Sequence, residues 1–146
     1  MFKNILIPTD GSEQSQRAIR MGVELARLHG ARITGIHVIP DYHLLIAYEG
    51  AFDPVTEERI ETEAKSRAAT YLSFVRDAAA QGGVSCITVC ETSDHPYEVI
   101  LSAAESRECD LILMTSHGRK GLAAVLLGSE TRKVLTHAKV PVLVVR

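Results

Sequence analysis

Residues 110–131 read DLILMTSHGRKGLAAVLLGSET. Leu111, Ile112, Leu113 and Met114 are apolar at every position rather than every second one, which predicts a strand covered on both faces. A loop holding Gly118 and Gly121 follows. Gly128 and Ser129 then open a helical pattern, with Val134, Leu135 and Ala138 inward and Lys133, His137 and Lys139 toward its C-terminal end. A buried strand running through a loop into a helix is the unit from which parallel sheets are built. Comparable runs lie at Asn4 to Pro8, Arg32 to Ile39, Asp110 to Met114 and Pro141 to Val145. A fifth run, Ser85 to Cys90, alternates more and suits an exposed edge.

Helical patterns separate these runs. In the first, Ala18, Gly22, Leu25, Ala26 and His29 share one face, with Ser12 or Ser15 as the N-cap and Gly30 as the stop. The second, roughly Pro54 to Gln81, turns Ile60, Ala64, Tyr71, Val75 and Ala78 inward. Glu57, Glu58, Glu61 and Glu63 complement its dipole, and Gly82 and Gly83 end it. A third begins near Asp94 and Pro96 and runs through Val99, Ile100 and Ala103, stopping before Cys109. The order βαβαβαβαβ predicts an α/β, doubly wound sandwich over residues 1–146: a five-stranded parallel sheet in the order 3-2-1-4-5 with about four helices. Its topological switch lies between the first and fourth strands, where open α/β sheets bind ligands. Two loops meet there, Pro8 to Ser12 and Thr115 to Ser129.

Composition narrows the function classes. The chain has 146 residues, 46% hydrophobic and 23% charged, enough for one globular core. Sixteen basic and 18 acidic residues leave a net charge of −2, so no global field attracts nucleic acid and any phosphate site must be local. The opening MFKNILIPTDGS holds too short an apolar run for a signal-peptide core or a membrane span, and a cytoplasmic protein is expected. Cys86 and Cys90 lie four residues apart on one strand face, about 13 Å, too far for a disulfide. With Cys109 they read as reduced thiols.

At the later loop, Gly128 lets backbone amides approach a phosphate, and the helix start behind it offers unpaired N–H groups. Ser129 and Thr131 add hydroxyls, Gly118 a tight turn, and Arg119 and Lys120 positive charge. The same residues also suit a plain capped helix preceded by a solvated loop, since glycine-rich loops are weak signals. Asp10 in Thr-Asp-Gly-Ser is either a ligand group or the head of an Asx turn. His37 and His117 read as strand-end packing residues rather than metal ligands, because the six histidines form no close metal-binding cluster. His117 stays a candidate phosphate contact. Residues 40–54 carry Leu44, Leu45, Ile46, Tyr48 and Phe52 without a settled period, and read as a lid, a partner surface or a short packed helix.

The pattern as a whole resembles the universal stress protein family, whose nucleotide-binding members carry Gly-x2-Gly-x9-Gly-Ser/Thr after the fourth strand. Gly118, nine residues, Gly128 and Ser129 match that register, while Thr115 stands where the first glycine falls. Nearly the whole chain shares in the likeness: Ile5-Leu-Ile-Pro-Thr-Asp-Gly-Ser12, His37-Val38, Ser116-His-Gly-Arg119, Leu127-Gly-Ser129 and Val140-Pro-Val-Leu-Val-Val145. The resemblance implies that Pro8, Thr9 and Asp10 line the adenosine end, with Asp10 near the ribose hydroxyls or a metal. Val38 would meet the adenine face, and Gly118, Gly128, Ser129 and Thr131 would hold the phosphates. Met114, Thr115, His117, Arg119 and Glu130 border the same site. Thr115 would either narrow the ligand's approach or donate a hydrogen bond to it.

The function so implied is an ATP- or adenine-nucleotide-binding stress or signalling module, with or without Mg2+, whose occupancy is read by other proteins. It would form a homodimer through the hydrophobic edge strand at residues 141–145. No Walker lysine follows a glycine-rich turn, so at most slow ATP hydrolysis is expected. Three alternatives carry different chemistry: an adenylating enzyme, a phosphoacceptor receiver built on Asp10, and a ligand-free dimeric interaction protein in which Thr115 has closed the site.

Overall fold

The computed structural model describes residues 1–41, 54–116 and 127–146. Along the chain lie β1 (Asn4–Pro8), α1 (Glu13–His29), β2 (Arg32–Ile39), α2 (Pro54–Gln81), β3 (Cys86–Thr92), α3 (Pro96–Ser106), β4 (Leu111–Thr115), α4 (Ser129–His137) and β5 (Val142–Val145). The five strands form one parallel sheet in the order β3-β2-β1-β4-β5, as the sequence predicts.

Side chains alternate across a strand, so β1 feeds two cores. Ile5 and Ile7 pack with Ala18, Ile19 and Val23 of α1 and Val75 and Ala79 of α2. Leu6 points the other way, into a cluster with Ile100 and Ala103 of α3 and Val134 of α4. All three β1 side chains are fully inaccessible, each burial contributing about 1.5–3 kcal/mol. This two-sided cover is why the central strands read as unbroken apolar runs. Helix α1 starts where the Ser12 hydroxyl accepts the Ser15 N–H at 3.2 Å. It ends at Gly30, whose φ of 62° turns the chain so that Ala31 N–H reaches the Ala26 carbonyl at 2.8 Å.

The amino edge of the sheet is closed by polar bonds. Asn4 is 1% exposed, yet its amide donates to the Arg107 carbonyl at 2.8 Å and its oxygen accepts the Thr34 hydroxyl at 3.0 Å. The Asp110 carboxylate accepts the N–H groups of Lys3 and Asn4. Asp110 therefore ties β1 to the start of β4, and that strand begins at Leu111 rather than Asp110.

Several expectations need correction. Strand β3 starts one residue later and runs two further than Cys90, because Glu91 and Thr92 pair with Val38 and Ile39 while their side chains stay in solvent. Strand β5 begins at Val142, one residue past the expected Pro141. The buried stripe of α2 is Ala64, Ala68, Leu72, Val75 and Ala79, with Ile60, Tyr71 and Ala78 only half-buried beside it. In α1, Leu25 and His29 likewise flank rather than form the buried stripe. Leu135 is 41% exposed instead of inward, since the nine-residue α4 buries only Thr131 and Val134. Cys86, Cys90 and Cys109 are free thiols, each held above the usual thiol range first by burial.

Candidate functional site

The carboxyl edge of the sheet begins where β1 ends. Thr9 extends the ladder by donating its N–H to the Ile36 carbonyl at 2.9 Å. Its hydroxyl accepts the Gly11 N–H at 3.2 Å and bonds the Ser15 hydroxyl at 3.0 Å, while Ser15 donates to the Ser12 carbonyl at 2.8 Å. One order satisfies all three contacts: Gly11 N–H to Thr9, Thr9 O–H to Ser15, Ser15 O–H to Ser12. Asp10 Oδ1 accepts the Ser12 N–H at 3.0 Å, an Asx turn that leads the chain into α1. Gly11 takes φ 76°, and a Cβ there would lie 2.2 Å from Cδ1 of Tyr71. The Tyr71 ring thus rests on bare backbone, clamping α2 to the loop.

Beside this loop opens a crevice of about 210 Å3. Val38, Ile39 and Pro40 at the end of β2 make one wall, and Ala64, Arg67 and Tyr71 of α2 make another. Asp10 and His37 complete the lining. His37 Nδ1 lies 2.7 Å from the Thr9 carbonyl; a carbonyl only accepts, so Nδ1 carries the proton. The imidazole meets Tyr71 edge to face, centroids 5.2 Å apart. Two parallel spacings separate β2 from β4 across β1, about 10 Å.

At the end of β4, Ser116 N–H donates to the Val145 carbonyl at 2.9 Å and Gly128 N–H to the Ser116 carbonyl at 2.7 Å. That second bond brings residues 116 and 128 together and sets the start of α4 directly behind β4. Gly128 is the N-cap of α4 and supplies no side-chain cap, so the geometry of the first turn leaves N–H groups without intrahelical acceptors. These carry the positive end of the helix dipole.

The structure thus brings Asp10 and Val38 into one crevice, with Gly128 and Ser129 opening α4 at the same sheet edge. It gives other residues different partners. Thr9 is 6% exposed and its hydroxyl serves the loop itself. Pro8 closes β1 opposite Ile36, and Met114 packs in the core beneath α3 and α4. Thr131 is buried and donates its hydroxyl to the Thr115 carbonyl at 2.9 Å, locking α4 to β4. The Glu130 carboxylate accepts the Tyr97 N–H at 2.9 Å in the first turn of α3 and pairs with Lys133 at 2.8 Å. His117, Gly118, Arg119 and Lys120, and the apolar stretch Leu44 to Phe52, lie outside the described residues. Among the described residues, no group of three or more His, Cys, Asp or Glu is placed to hold a metal. No described helix is long and apolar enough to cross a membrane. Ile39, Pro40, Ala64, Arg67 and Tyr71 line the crevice without having been expected there, and the signal for the last three is their three- and four-residue spacing along one face of α2.

The sequence model of the Universal stress protein family matches residues 1–146. This chain belongs to that family. A universal stress protein of Thermus aquaticus is 35% identical, over 100% of both chains. Universal stress protein MJ0577 of Methanocaldococcus jannaschii is 30% identical over 100% of this chain and 96% of its own. A solved structure of MJ0577 superposes with a TM-score of 0.83 over 99% of this chain and 96% of that one, at 28% identity. Three further solved structures share the fold at 19 to 20% identity, with TM-scores of 0.67 to 0.70 over at least 98% of this chain and 90% of theirs. They are a universal stress protein in complex with cAMP, one from Archaeoglobus fulgidus in complex with dAMP and one from Arabidopsis thaliana with AMP bound. Within this universal stress protein, the Thr115 carbonyl serves as the acceptor for the Thr131 hydroxyl.

Proposed function

We propose that this universal stress protein binds an adenine nucleotide, ATP foremost, along the carboxyl edge of its sheet and acts as a binding or signalling module without strong catalysis. One observation carries the reading: the apolar crevice containing Asp10 and Val38 and the uncapped start of α4 at Gly128 and Ser129 lie at one sheet edge, about 10 Å apart across β1. That span suits a base and sugar at one end and an anionic tail at the other. The crevice volume of about 210 Å3 falls below the roughly 300–1,000 Å3 of pockets that enclose a whole drug-sized ligand, which fits a slot for the base with phosphates outside it. Adenine nucleotides in three solved structures of the same fold support the ligand class.

Asp10 would accept from the ribose hydroxyls while its Oδ1 holds the turn. The α4 amides and the Ser129 hydroxyl would meet the phosphates. A magnesium ion, where present, would be held by Asp10 and the phosphates together, since Mg2+ takes few protein ligands in such sites. The site would lie in a homodimer joined along β5, the edge strand beside β4.

Titration of purified protein with labelled ATP, with and without magnesium, on wild type and Gly128→Val tests the reading. Binding should be lost or weakened at least tenfold in the variant, because a branched side chain then stands over the amides that face the phosphate. Equal binding by both proteins, or none by wild type, would favour a ligand-free interaction protein.

A further inference from the structure

The α2 side of the crevice holds one cation with no assigned role. Ala64, Arg67 and Tyr71 follow one another on one face of α2, facing Val38, Ile39 and Pro40. Tyr71 is committed to Gly11 and His37. Among the described residues no acid pairs with Arg67, the one basic side chain that lines the crevice. An anion beside Arg67 would share the crevice with the Asp10 carboxylate and lie against a wall of Val, Ile and Pro that offers little to bind it. Phosphates find better donors at α4, two strands away. A flat, uncharged heteroaromatic ring meets none of these objections.

We infer that Arg67 forms the second wall of the base slot, its guanidinium lying over the face of the adenine ring opposite Val38 and setting the site's preference for a purine. The inference rests on the nucleotide-binding reading and adds the residue that selects the base. A planar guanidinium gains both dispersion and cation–π attraction from a stacked ring, and the larger purine face gains more than a pyrimidine.

The test measures dissociation constants of adenosine, ATP and CTP for wild type, Arg67→Ala and Arg67→Lys, at low and high salt. Arg67 is exposed on a helix, so neither substitution threatens the fold. Arg67→Ala should weaken adenosine and ATP by the same factor, about three- to tenfold, and narrow the ATP-to-CTP ratio. Arg67→Lys should recover little, because an ammonium has no planar face. The salt dependence of ATP binding should stay as in wild type. A loss confined to ATP with a flatter salt dependence would make Arg67 a phosphate contact and overturn the inference, as would full rescue by lysine or no change at all. Wild-type protein that binds neither adenosine nor ATP defeats the underlying nucleotide reading. Wild type that binds both, with Arg67→Ala unaffected, defeats only the role of Arg67.

Discussion

Gly11 shows how one residue can set both stability and site geometry. Its φ of 76° lies where a side chain is strained, and an added Cβ would stand 2.2 Å from the Tyr71 ring, too close to be relieved by a small shift. Gly11→Ala should therefore cost about 2 kcal/mol in urea denaturation, with nucleotide affinity falling as Tyr71 is pushed from the crevice. Adding Tyr71→Ala should remove the clash but leave the backbone strain, so the double variant should lose less than the two single losses combined. Additive losses would show that ring and loop do not press on one another. The same residues mark how far the site was readable. Asp10 and Val38 belong to local strings at strand ends, and the crevice contains both. Helical spacing puts Arg67 and Tyr71 on one face with Ala64, but only the packing of α2 over β2 brings that face to the crevice. Thr131 reads as a phosphate ligand because a hydroxyl at a helix start suggests one, and Glu130 reads as a residue bordering the same site. In the tertiary structure the Thr131 hydroxyl donates to the Thr115 carbonyl and the Glu130 carboxylate accepts the Tyr97 amide, partners that no local pattern reveals.

Between elements, Glu130 joins two helix starts. It sits in the first turn of α4, yet its carboxylate accepts the Tyr97 N–H in the first turn of α3, where His95 provides no side-chain cap. A carboxylate there satisfies one of the orphan amides of α3 and complements its dipole. Glu130→Ala should destabilise the fold by about 1 kcal/mol, with Glu130→Gln recovering part of the loss because an amide oxygen still accepts. Amide hydrogen exchange should rise first in residues 97–99, and unchanged exchange there would assign the loss to another cause. The elements themselves were legible because their punctuation is chemical: Ser12 and Gly30 bracket α1, and apolar runs mark the strands. What escaped was finer. The buried face of α2 is built on alanines that permit close approach, whereas periodicity weighted by side-chain size favours Ile60 and Tyr71. The last two residues of β3 are polar, so only their backbone pairing with β2 reveals them as strand.

At the scale of the whole molecule, the two edge strands of the described sheet differ in character. Strand β3 carries Glu91 and Thr92 along an exposed margin, polar groups that discourage pairing with another chain. Strand β5 reads Val-Leu-Val-Val, pairs among the described residues with β4 alone, and leaves Leu143 40% exposed although it lies in register with the buried Leu113. Two copies meeting along β5 would bury Leu143 twice, once from each chain, because a twofold axis repeats every contact. With Leu143 only 40% exposed to begin with, each burial contributes about 1 kcal/mol, and burying a Glu carboxylate in its place adds a desolvation cost, so Leu143→Glu should weaken association on the order of 100-fold. Sedimentation velocity at tens of micromolar should show a wild-type dimer and a Leu143→Glu monomer with an unchanged circular dichroism spectrum. A wild-type monomer under those conditions would rule out association along β5, and a dimer that survives Leu143→Glu would move the contact to another face.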